Sequence, residues 1–325
     1  MRYTLAVIVA AFVASASAHT RIYSAWVNGE DQGDGRGTYI RSPPTNDPVK
    51  DLTTSDIVCN VAGATAVSDF VSAAAGDTIT MEWYHDSRGD DIIASSHKGP
   101  IITYIAEYFE DAGASPIWTK IAEQGYDSSS DTWAVDDLIS AGGKIDFTLP
   151  SNIKAGKYMV RQEIIALHES DTCYATAGSR GAQFYPSCVQ FEVTGSGTAT
   201  PDQAFDFNAN YSCDLPGIEF NLYGDFTSYE IPGPAVESTL GGSSSSSSGS
   251  SDSSSGSSSS ASASAAVTSS GSSPSGVANA AGNAAAPTTL ATSTTAAAAA
   301  AQPTAASGSG SSCSKRRKAR AAQRA

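Results

Sequence analysis

The chain places a histidine where a secretory leader would be cut. His19 follows Ala16-Ser17-Ala18, and ahead of that tripeptide lie a basic start at Arg2 and an apolar stretch from Leu5 to Val13, the ordinary layout of a signal peptide. Cleavage after Ala18 makes His19 the first residue of the mature chain. Its freed α-amino group and its imidazole can then grip one metal ion together, a chelate that no internal histidine can supply. The leader's apolar stretch is about half of the roughly 20 residues needed to cross a bilayer. No later stretch offers 18 consecutive apolar residues, so a secreted, extracellular protein without a transmembrane segment is expected.

Three other histidines, His85, His97 and His168, remain in the chain. A lone histidine is more often a satisfied structural residue than a ligand, so its company decides. His97 sits in Asp90-Asp91-Ile92-Ile93-Ala94-Ser95-Ser96-His97-Lys98-Gly99-Pro100, and His168 ends Glu163-Ile164-Ile165-Ala166-Leu167-His168. His85, in Trp83-Tyr84-His85-Asp86, has no such context and reads as structural.

The elements that must position these residues are short alternating or β-branched runs. They occur at 78–83, 101–104, 144–149, 158–166 and 189–193, each beside turn residues such as Ala75-Gly76-Asp77 or Gly142-Gly143. This spacing predicts an all-β fold, an immunoglobulin- or fibronectin-like antiparallel β-sandwich with long loops. One short helix is predicted at 135–140. Residues 31–48 and 169–181 are rich in Gly, Asp, Ser and Pro without periodicity and read as long surface loops, where binding residues tend to lie.

Composition divides the chain. After the leader, 1–18, a folded domain is expected over 19–240, then a Ser/Ala/Gly/Thr-rich segment over 241–312 and a basic tail over 313–325. The third segment has too few large apolar side chains to offset the entropy of ordering, so a disordered, O-glycosylated stalk is expected. Between 19 and 240 stand 32 acidic and 12 basic side chains. A domain so negative repels nucleic acid and anionic membranes; it is expected to act as a monomer. Five cysteines are present: in a secreted chain Cys59, Cys173, Cys188 and Cys213 make two disulfides in one of three pairings, and Cys313 is left in the tail. Asn210-Tyr211-Ser212 is an N-glycosylation acceptor, so Asn210 should be exposed.

Several blocks together resemble the fungal lytic polysaccharide monooxygenases of auxiliary-activity family nine, formerly glycoside hydrolase family sixty-one. They are His19-Thr20 with Trp26-Val27-Asn28-Gly29 and Asp31-Gln32-Gly33, the run Tyr39-Ile40-Arg41-Ser42-Pro43-Pro44, the two histidine segments above, and Gly181-Ala182-Gln183-Phe184-Tyr185-Pro186-Ser187-Cys188. The likeness runs from His19 to about Pro234 and excludes the stalk and tail. It implies copper bound by the amine and ring of His19, by His97 and, weakly, by the Tyr185 oxygen. It implies that His168 and Gln183 act beside the metal with Tyr185, and that Tyr229 presents an exposed ring to a glucan, with Tyr39 and Tyr23 as weaker candidates. It also implies a disulfide between Cys59 and Cys188, and with it one between Cys173 and Cys213.

The activity so implied is oxidative cleavage of cellulose or a related β-1,4-glucan at C1, C4 or both, using an external electron donor and O2 or H2O2. Donor chemistry agrees, since nitrogen donors in a tetragonal field suit Cu(II), and an amine of reference pKa about 7.7–8.0 must lose its proton to the metal. Zinc catalysis would want three protein ligands and a base, and no H-E-x-x-H spacing occurs. No block supplies the paired acid and base of a glycosidase. A copper-binding extracellular or cell-wall protein without oxidative turnover is the competing expectation, supported by the basic tail. Relatives that end in a cysteine-stapled cellulose-binding module differ from this chain, whose tail has no aromatic residue.

Overall fold

The computed structural model describes residues 18–111 and 115–241. Most of the expected leader, the stalk segment from 242, the basic tail and Cys313 lie outside the described residues.

Two sheets face each other. The first has the order β2-β1-β4-β9, formed by β1 (Arg21–Val27), β2 (Glu30–Asp31), β4 (Thr78–Tyr84) and β9 (Lys144–Thr148). The second has the order β3-β11-β10-β5-β6, formed by β3 (Val71–Ala74), β5 (Ile101–Glu107), β6 (Thr119–Gln124), β10 (Gly156–Ala166) and β11 (Gln183–Thr194). A separate hairpin pairs β7 (Tyr126–Asp127) with β8 (Thr132–Trp133). Short helices sit in the connections: α1 (Asp56–Cys59), α2 (Ala134–Ser140), α3 (Tyr174–Ala177) and α4 (Phe207–Asn210). The sandwich and the helix at 134–140 match expectation. One pairing does not: β3 runs parallel to β11, because the chain crosses from one sheet to the other after β3 instead of turning back within its own.

Alternation explains the interior. Ile22, Ile79, Met81, Trp83, Ile145 and Phe147 point inward from the first sheet and meet Ile101, Ile105, Val160, Ile164, Val189 and Phe191 from the second. The second sheet is also covered behind, where Met159, Ile165, Tyr104, Phe184 and Cys188 pack under Ile57, Val58, Phe207, Tyr211 and Ile218. Hence nine successive residues of β10, from Tyr158 to Ala166, are all buried, which no amphipathic strand would show.

That rear layer encloses a charge pair. Arg161 and Glu163 are both fully buried and 2.7 Å apart. The Arg161 guanidinium also donates to the carbonyls of Val58 and Ile57 at 2.6 and 2.8 Å, and the Tyr211 hydroxyl donates to Glu163 at 2.6 Å. A disulfide joins Cys59, at the end of α1, to Cys188 in β11, and another joins Cys173 to Cys213. The first therefore ties the rear layer to the strand that starts with Gln183 and Tyr185.

Candidate metal centre

Four separate segments converge at one end of the sandwich. His19 lies two residues ahead of β1, and its carbonyl accepts a hydrogen bond from His85 Nδ1 at 2.9 Å, just past the end of the paired strand β4. His97 closes a turn through its backbone N–H to Ala94, and Leu167 N–H then reaches the carbonyl of Lys98 at 2.9 Å. The next residue must be small: a Cβ on Gly99 would lie 1.8 Å from the Ile165 carbonyl oxygen. That close approach seats His97 against His168, with ring centroids 4.0 Å apart. Gln183 and Tyr185 are alternate residues of β11 and share one face, while register with β10 places Gln183 opposite Ala166, two residues before His168.

Three rings form a triangle. The centroids of His19 and His97 are 6.2 Å apart, those of His19 and Tyr185 6.0 Å, and those of His97 and Tyr185 6.2 Å. With metal–imidazole bonds of about 2 Å, one ion can lie between two imidazoles at such a separation. His97 is 4 % exposed and Tyr185 1 %, whereas the His19 side chain is 32 % exposed, so the triangle opens to solvent on the His19 side.

Burial sets the protonation states. Desolvation, reinforced by His168 and His19 nearby, lowers the His97 pKa to about 4. His168 and His19 are also lowered, chiefly by burial, with Asp47 opposing the shift at His19. Tyr185 is raised by burial and then by the carboxylates of Asp47 and Glu169, so its phenol keeps its proton. The three imidazoles are thus neutral near pH 7, and each carries one nitrogen lone pair. His97 Nε2 is buried without a hydrogen-bond partner among the described residues, a state that costs about 1–3 kcal/mol unless something coordinates it. This orphaned nitrogen and the neutral donors fit a metal. Among the described residues no three His, Cys, Asp or Glu side chains are grouped to hold one.

Beside the triangle lies a chain of hydrogen bonds. The Tyr185 hydroxyl donates to Gln183 Oε1 at 2.7 Å; Gln183 Nε2 donates to His168 Nε2 at 3.2 Å and to Glu169 Oε2 at 3.1 Å. Glu169 Oε2 also accepts from Lys50 Nζ at 2.7 Å. Because His168 Nε2 accepts, its proton resides on Nδ1. The sequence reading missed Lys50, Glu169, Asp47 and the contact of His85 with the backbone of His19. Lys50 and Glu169 are 119 positions apart, and no local signal joins them.

The exposed ring expected at Tyr229 is not found, and the two weaker candidates, Tyr39 and Tyr23, are covered as well. Tyr229 is half-buried: its hydroxyl donates to the Gly217 carbonyl at 2.7 Å, and its ring packs edge-on to Trp133 and Phe220. Tyr39 is buried, its hydroxyl bonded to the Gly33 carbonyl. Tyr23 is half-buried beneath the guanidinium groups of Arg36 and Arg88. Among the described residues the exposed aromatic rings are Tyr223, 73 % accessible, and Phe109, 46 %. Tyr223 lies near Arg180, which also interacts with Glu169 and His168. Asn210 is exposed, although the next residue, Tyr211, is buried. Of the tryptophans, Trp83, Trp118 and Trp133 are core, and Trp26 lies at its margin under Lys144.

A β-sandwich that gathers His19, His97 and Tyr185 at one end, open to solvent on the His19 side, is the class that fold and site define together. The sequence profile of Auxiliary Activity family 9 (formerly GH61) matches residues 19–229. The chain is 58 % identical over 224 residues to AA9 family lytic polysaccharide monooxygenase A of Collariella virescens, covering 68 % of this chain and 82 % of that one. It is 52 % identical over 239 residues to the protein of the same description from Schizophyllum commune, covering 71 % and 94 %. Among solved structures, CvAA9A matches with a TM-score of 0.67 at 58 % identity, covering 67 % of this chain and 98 % of that one. Cel61B from Hypocrea jecorina, described as a glycoside hydrolase family 61 member, matches with a TM-score of 0.58 at 29 % identity, over 67 % and 100 %. The chain belongs to Auxiliary Activity family 9 and is a lytic polysaccharide monooxygenase.

Proposed function

We propose that this chain is secreted, is cut between Ala18 and His19, and binds one copper ion through the amine and ring of His19 and through His97. Its substrate is cellulose or a related β-1,4-glucan, cleaved at C1, C4 or both with an external reductant and O2 or H2O2. The observation that carries this reading is the pair of neutral imidazoles with centroids 6.2 Å apart, in which His97 Nε2 is buried without a hydrogen-bond partner. Copper held there would supply one-electron chemistry that couples the reductant to oxidation of a glycosidic C–H bond.

The chain's own residues have distinct tasks. Tyr185, kept protonated by burial, offers a weak oxygen donor and fixes its hydroxyl on Gln183. Gln183 and His168 hold hydrogen-bonding groups beside the open side, where the oxygen co-substrate must arrive. His85 anchors the first residue through its carbonyl. The mature chain, loaded with copper and incubated with reductant and cellulose, xyloglucan or a related glucan, is expected to release oxidised oligosaccharides. No product from any of these substrates would overturn the proposal.

On the domain's surface Tyr223, the more exposed of the two exposed aromatic rings among the described residues, can stack on a sugar face. Tyr223→Ala is expected to weaken cellulose binding about fivefold, equivalent to about 1 kcal/mol, with the melting temperature unchanged. Tyr229→Ala is expected to do the reverse, lowering stability by about 2–3 kcal/mol through loss of packing while leaving binding by folded protein intact. Pull-down isotherms and thermal melts on the two variants separate the roles; equal binding by wild type and Tyr223→Ala would remove Tyr223 from the substrate face.

A further inference from the structure

We propose that Lys50 and Glu169 are positioning residues that fix which way the Gln183 amide faces, and through it the direction of the Tyr185 hydroxyl. Gln183 is 6 % exposed and has two ends that must be matched. Its Oε1 takes the Tyr185 hydroxyl at 2.7 Å, and its Nε2 lies 3.1 Å from Glu169 Oε2. Turning the amide over would bring Oε1 against that carboxylate oxygen, two acceptors with no proton between them. It would also confront His168 Nε2, which accepts in the observed arrangement, with a second acceptor. An amide alone could tolerate the turn by letting Tyr185 accept and His168 change its tautomer. A carboxylate has no such freedom, since when ionised it only accepts.

Glu169 must itself be held as an ionised, directed acceptor. Lys50 does this from the loop between β2 and α1: its ammonium donates to Glu169 Oε2 at 2.7 Å and to the Ser179 carbonyl at 2.9 Å. Both side chains are largely covered, at 20 % and 30 % accessibility, so water competes less than at an open surface pair. The chain of direction runs from Lys50 to Glu169, to Gln183, to the Tyr185 hydroxyl. Neither Lys50 nor Glu169 hydrogen-bonds to His19 or His97 among the described residues; Glu169 acts on His97 and Lys50 on His19 through charge, and both act on Tyr185 by way of Gln183. The consequence for catalysis rests on the copper reading above; the orientation of the amide does not.

The test therefore has a metal-free arm and a metal-bound arm. In the metal-free protein, NMR of the Gln183 side-chain NH2, assigned by its loss in Gln183→Ala, reports the bond to Glu169. Lys50→Met and Glu169→Leu are expected to speed exchange of those amide protons at least about tenfold, and Lys50→Arg is expected to restore the wild-type rate because it keeps a cation in reach. With copper added, the same two variants are expected to alter the electron paramagnetic resonance parameters, whereas Lys50→Arg leaves them as in wild type. Unchanged amide exchange in folded Lys50→Met and Glu169→Leu overturns the positioning proposal. Failure of the wild-type protein to bind copper overturns the metal reading and leaves the amide result standing.

Discussion

A mature chain that carries a single extra residue ahead of His19 is expected to lose at least about a hundredfold in copper affinity and in glucan oxidation. Outer contacts of a metal site typically cost 10–100-fold when removed, and this change removes a ligand outright. An acylated nitrogen is a peptide N–H with no free lone pair, and only two imidazoles then remain for the ion. The fold should not notice, because β1 begins at Arg21 and the His19 side chain is already 32 % exposed. The comparison is between two preparations, one starting at His19 and one at Ala18, titrated with Cu(II) by calorimetry, assayed for oxidised products and melted in the presence of chelator. Equal affinity and turnover would eliminate the N-terminal amine as a ligand and with it the proposed centre.

The second large effect concerns stability. Arg161→Met is expected to destabilise the domain by about 3–5 kcal/mol, since it leaves Glu163 as a buried charge without its cation. The carbonyls of Ile57 and Val58 lose their donor as well. Replacing both partners, as Arg161→Met with Glu163→Leu, should recover part of that loss but not all, because the two carbonyls would still lack the Arg161 donor and the Tyr211 hydroxyl would keep only Tyr104 as a partner. Urea unfolding midpoints of the single and double variants read this directly. A loss below about 1 kcal/mol for Arg161→Met would show that the pair is not the anchor of the rear layer.

The sequence carried the sandwich because its inner faces are built from strands with an ordinary period of two, as in 78–84 and 144–148. It carried the metal-site candidates because His97, Gln183 and Tyr185 lie in compact blocks. What it hid depends on contacts between distant residues. The start of β11 at Gln183 rather than near 189 follows from its full pairing with β10. The rear layer is assembled from 49–59 and 205–231, so the two-sided burial of β10 has no local pattern. Tyr229 and Tyr223 illustrate the same limit: six positions apart, one is fastened to Gly217 and the other is exposed. The Gly217 carbonyl and the rings of Phe220 and the distant Trp133 hold Tyr229 in place.

The double covering of β10 and β11 bears on how the protein opens. Amides in strands paired on both edges and covered on both faces exchange with solvent only in the rarest openings, whereas loop segments release theirs in frequent small ones. Tyr185 and Gln183, paired with β10 and flanked by the Val49–Phe184 bridge, lie at the start of the first kind; His19 and His97 belong to the second. The candidate centre is a seam between a slow region and a fast one. A metal bound across it stabilises whatever state keeps both halves together, so the added protection should concentrate in 18–22 and 94–98 and hardly touch β11.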